Sequence, residues 1–110
     1  MSSKWVKEVM KDYGFTGTLT LTTGRQLIRA NAINKNIALT LEQFDAFTDI
    51  GTMTIFKSDT SANTVTIKLY AGDTWNGVTD DIVLSDVGDA VVISKGATEF
   101  KVDARTVFVR

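Results

Sequence analysis

Five aspartates, Asp73, Asp80, Asp81, Asp86 and Asp89, lie close together and are the densest group of side chains able to do acid–base chemistry. A glycosidase would need two of them facing one cleft, one kept protonated by its surroundings. A calcium site could draw on Asp73, Asn76, Asp80 and Asp81, because Ca²⁺ takes several oxygen ligands, but the spacing is not that of an EF-hand loop. Each aspartate sits in a stretch rich in Gly, Asn, Ser or Thr. There a short carboxylate bonds backbone amides two residues on, and such capping accounts for these residues without catalysis. The chain has no His and no Cys, which removes ordinary zinc sites and His-dependent triads. No catalytic residue, metal ligand or cofactor site is expected, and the chain reads as a non-enzyme.

Trp75 is the other residue with chemical reach. A turn tryptophan can stack on a sugar ring or anchor a protein interface. It can equally fold back over its own hairpin, and both readings stand. Thr-x-Thr pairs occur at Thr18/Thr20/Thr22, Thr52/Thr54 and Thr64/Thr66. In a flat solenoid of regular repeat such pairs could order water, but no regular repeat is visible, and solvent-facing strand positions explain them. Lys95-Gly96 lies in no phosphate-loop context. Basic residues are not interleaved with aromatics as nucleic-acid platforms require.

The elements that would position these residues are mostly strands. Leu19/Leu21, Ile37/Leu39/Leu41, Val65/Ile67/Leu69 and Ile82/Leu84 place apolar residues at every second position. Arg25 to Ala32, Thr52 to Lys57, Ala90 to Ser94 and the segment from Phe100 onward read as further strands. Turn clusters separate them, Asn76-Gly77 being the strongest hairpin signal because both residues tolerate positive φ. Turns every 8–12 residues predict an antiparallel β-sandwich, barrel or prism. Two helical pieces are expected beside the strands. Residues 3–13 carry Trp5, Val9 and Tyr13 at i, i+4 and i+8, with Gly14 suited to end the helix. Thr40-Leu41-Glu42-Gln43 matches a capping box, so a further helical turn near 41–49 is one reading, a continued strand running into a loop being the other. The domain reading is an N-terminal helical arm, 1–14, and a single β domain, 15–110.

At 110 residues the chain has the length of one domain. Its net charge of −1 gives no overall pull toward nucleic acid or an anionic membrane, and neither is expected as a partner. Residues 1–35 carry six cations against Glu8 and Asp12, whereas the rest carries six cations against eleven acids. A basic N-terminal part docking on an acidic neighbour is one reading of that asymmetry; acidic turns alone are the other. The chain has no Pro, so proline cannot protect sheet edges; they must be covered in some other way, and a neighbouring subunit is one. No apolar secretion signal or membrane-length run is visible.

The stretch Asn63–Val102 resembles β modules of bacteriophage fibre and virion-decoration proteins. The matching residues are Thr66-Ile67, Ala71-Gly72-Asp73-Thr74-Trp75-Asn76-Gly77, Ile82 to Leu84, Gly88 to Ile93, and Gly96 to Val102. Trp75 stands where an aliphatic is usual, and Phe100 where Trp is common. The resemblance implies a virion structural protein, assembled in the host cytoplasm, with no cofactor. A chain this short implies a capsid decoration (cement) protein or short fibre subunit. The implied partners are copies of itself, commonly in a trimer, and major capsid or tail protein. Trp5, Val9, Tyr13 and Trp75 are the expected interface residues. A carbohydrate- or receptor-binding module using Trp75 is the alternative.

Overall fold

The structure is a computed structural model that describes residues 8–19, 25–46 and 52–106. Its chain winds back and forth between two sheets. Strands β1 (Glu8–Tyr13), β3 (Arg25–Ala30) and β5 (Thr52–Lys57) lie side by side in one sheet. Strands β2 (Gly17–Leu19), β4 (Ile37–Leu41) and β6 (Val65–Lys68) lie side by side in the other. All the pairings within these two triplets are parallel. The described chain thus makes three stacked coils, each giving one strand to each sheet. Three antiparallel strands then finish the stack. β7 (Ile82–Leu84) pairs with β6, β8 (Ala90–Lys95) pairs with β5, and β9 (Phe100–Thr106) pairs with β8.

The expectation of an antiparallel β body is therefore corrected: both sheets are mixed, with orders β1-β3-β5-β8-β9 and β2-β4-β6-β7, and neither closes into a barrel. The alternation seen in the sequence is real, but it stacks residues of successive coils instead of neighbouring hairpin arms. Leu39 lies beside Ile67, and Ile67 beside Ile82. Ile28 lies beside Ile55, and Ile55 beside Val91. These inward columns form one buried core with Leu19, Leu41, Met53, Val65, Leu84, Ile93, Trp75 and Phe100. Aliphatic side chains stacked along the ladder remove apolar area from water at every rung, which is what holds the coils together.

The expected N-terminal helix is also corrected. Glu8–Tyr13 is a strand, in register with β3 from Glu8↔Arg25 to Tyr13↔Ala30. A lone helix of that length gains little in water, whereas the strand gains a full ladder and packs Tyr13 against the core. The helical turn expected near 41–49 appears as a single 3-10 turn, Phe44–Ala46, after Leu41 has ended β4. Residues 47–50 lie outside the described residues, as does Trp5.

Candidate functional site

Two sets of turns flank the sheets, one built around a buried ion pair and the other around Trp75. On one side, Lys57 is fully buried, and its ammonium donates to Asp59 Oδ2 (2.8 Å), the Asp59 carbonyl (2.9 Å) and the Ser61 carbonyl (3.0 Å). Asp59 also accepts from the Ala32 amide (2.7 Å), the Ser61 amide (3.0 Å) and the Ser61 hydroxyl. Burial works against the charge on Asp59. The bonds from Lys57, Ser61 and the two amides outweigh it and hold the carboxyl far below the usual carboxylate range. With its acceptors filled and both side chains buried, this pair is a clamp between the second and third coils. The sequence reading passed over it; the signal was a lysine on the inward phase of β5, followed two residues on by an aspartate in a turn.

On the other side, Trp75 is only 2% exposed. It forms the closing pair of a tight turn with Val78, with Asn76 at φ 50° and Gly77 at φ 83°, as the Asn-Gly dipeptide predicts. Its indole N–H donates to the Asp80 carbonyl at 2.9 Å, and its backbone bridges to Phe100. Trp75 thus folds back over its own hairpin, and its ring lies inside the core. Glu99 holds the same turn, accepting from the Thr74 hydroxyl and the Gly77 amide, bonds that lower its pKa. Phe44 packs edge-on against Phe100 at 5.2 Å, beneath the Lys95 ammonium.

Three of the five aspartates have bonded side chains, each with different partners. Asp73 accepts from the Phe44 amide, Asp89 from the Ser85 and Asp86 amides, and Asp81 pairs with Lys68 at 2.7 Å. Among the described residues no three acidic side chains converge as a metal site would need. Thr18 stacks beside Thr40, but the next rung offers Lys68, so the threonine row ends after two coils.

What remains open is the first coil. Among the described residues β1 and β2 each pair on one side only and are the outermost strands of their sheets. β1 is six residues long and regular. Where β1 turns toward β2, Phe15 is 62% exposed, its ring 6.5 Å from the half-buried Tyr13. Ile33, 52% exposed, lies on the corresponding corner of the next coil. Beside them opens a cleft of about 310 Å³ lined by Asp12, Tyr13, Gly14, Arg29, Asn31 and Ser58. The Asp12 carboxylate accepts from Arg29 at 2.6 Å, which lowers the aspartate's pKa and raises the arginine's. Of the expected interface residues, the structure puts Tyr13 at this surface and Val9 on its edge strand, and it places Trp75 in the core. Phe15 was missed because a lone aromatic between two short strands carries no periodic signal.

The sequence matches no protein-family model, and a search of curated proteins found none similar to it.

Proposed function

We propose that this chain is a non-enzymatic structural subunit of a bacteriophage virion, a capsid decoration or short fibre protein. It assembles with copies of itself as a trimer and seats on capsid or tail protein through its first coil. The observation that carries this reading is the open end of the stack. A regular six-residue edge in a chain without proline, next to the exposed Phe15 and the half-buried Tyr13, is a surface that gains from being covered. The likeness of Asn63–Val102 to phage virion modules supports the same reading. So does the use of the candidate acid–base groups as turn caps and clamps.

In this role the protein acts by adding contact area. An interface of roughly 800 Å² per partner is enough for a stable, specific contact. Phe15 and Tyr13 supply the anchor, because aromatic rings bury much apolar area with few rotatable bonds. The Asp12–Arg29 pair at the rim sets orientation more than affinity.

The test is co-sedimentation with capsid shells stripped of accessory proteins, alongside the mass in solution. The wild-type chain is expected to pellet with the shells, and Phe15→Glu to weaken that binding roughly thirtyfold or more, as loss of an interface anchor does. Wild-type chain that stays in the supernatant, or a Phe15→Glu variant that binds equally well, overturns the reading.

A further inference from the structure

The outer face of the second sheet carries a groove away from the Tyr13–Phe15 corner. Side-chain alternation places Thr18, Thr40 and Lys68 in one row across β2, β4 and β6. Two residues further on, where β4 and β6 give way to loops, the same phase brings Glu42 and Tyr70 to that face. The groove has a volume of about 340 Å³ and is lined by Thr18, Thr40, Leu41, Glu42, Gln43 and Tyr70. Leu41 is fully buried, whereas Tyr70 is 46% exposed. Thr18 and Gln43 are exposed, and Thr40 and Glu42 half-buried. Among the described residues, the side chains of Thr18, Thr40, Glu42 and Gln43 make no hydrogen bond or ion pair with one another or with the rest of the fold.

We propose that this groove binds an uncharged pyranose ring. The chemistry is that of a sugar subsite. An exposed aromatic face stacks on the C–H face of the ring, and a carboxylate, an amide and two hydroxyls meet its hydroxyl groups. The charge balance selects neutral sugars. Among the described residues Glu42 is the sole charged group lining the groove, and Lys68, the neighbouring cation on that face, is held by Asp81 at 2.7 Å. An acidic sugar would meet repulsion from Glu42 there, and among the described residues no cation lines the groove to offset it. The groove meets the first coil only at Thr18 and does not include Tyr13 or Phe15, so sugar binding and shell binding are separable: either can fail while the other holds.

The experiment is an NMR titration of the intact chain with methyl glucoside, methyl galactoside, methyl N-acetylglucosaminide and, separately, sialic acid. At least one neutral glycoside is expected to shift the amide resonances of Thr40 to Gln43 and Tyr70 and to saturate in the millimolar range. Tyr70→Ala should weaken that binding about tenfold or more, Tyr70→Phe much less, and Phe15→Ala, which removes an exposed aromatic outside the groove, not at all. Tyr70 is exposed, so its variants keep the fold, and their amide spectra verify it in the same experiment. Absence of groove shifts with every neutral glycoside, shifts that persist unchanged in Tyr70→Ala, or tighter binding of sialic acid would each overturn the proposal.

Discussion

At one side of the sheets the chain turns around Lys57 and Asp59; at the other it turns around Trp75 and Phe100. The first turn is polar, buried and fully bonded. The second is aromatic, with one indole bond and edge-on ring packing. Both tie distant segments together, Ala32 to Asp59 in one case and Thr74 to Phe100 in the other. They differ in how they should fail. A buried ion pair is costly when one partner is lost, since the other charge stays behind without compensation. An aromatic plug fails by leaving a cavity, and its cost is indifferent to pH.

The largest expected effects come from removing each centrepiece. Asp59→Ala leaves Lys57 buried beside two carbonyls only, and it should lower the unfolding free energy by about 3–5 kcal/mol. Trp75→Ala should lower it by a similar ~3–5 kcal/mol through the cavity it opens. Urea unfolding measures both. A cost below about 1 kcal/mol for either would mean that its turn does not hold the fold.

The two turns are then separated by acid. The folded-state pKa of Asp59 lies below its unfolded value. Its contribution is therefore present above the usual carboxylate value and is lost as pH falls below about 4. Wild type and Trp75→Ala should both lose stability along that limb, and Asp59→Asn should lose distinctly less. Parallel limbs in Asp59→Asn and wild type would show that other carboxylates control acid unfolding.

Smaller effects sharpen the aromatic side. Trp75→Phe keeps a ring but drops the bond to the Asp80 carbonyl, for an expected loss of about 1–2 kcal/mol. Gly77→Ala meets open space at its Cβ, so its cost is that of the positive φ alone, about 1 kcal/mol. A Gly77→Ala variant as stable as wild type would mean that the turn relaxes to another type.

Much of this was legible in the sequence, though not the way the parts join. Period-two apolar spacing located the strands from Ile37 onward, because each strand buries one face and wets the other. Asn76-Gly77 announced its turn because that geometry demands positive φ. The parallel winding was hidden. Glu8 pairs with Arg25 seventeen residues away and Gln26 with Met53 twenty-seven away, so no fixed repeat marks the coils. The segment from Trp5 to Tyr13 fits helical and strand spacing alike. What decides for the strand at Glu8–Tyr13 is the waiting edge of β3, which no local pattern can show. Lys57 was read as the end of a strand; its burial became visible only once Asp59 and Ser61 were seen to close over it.

The contrast between the two ends of the stack bears on assembly. At the far end the edge strand β9 carries a protection, a bulge opposite Val92/Ile93. At the near end β1 is long and regular, with Phe15 exposed beside it. The most direct measurement is the solution mass by light scattering across a wide concentration range, for wild type and for Phe15→Glu. The account predicts a wild-type trimer that Phe15→Glu shifts toward monomer with the fold intact. A wild-type chain that stays monomeric at every concentration would contradict it.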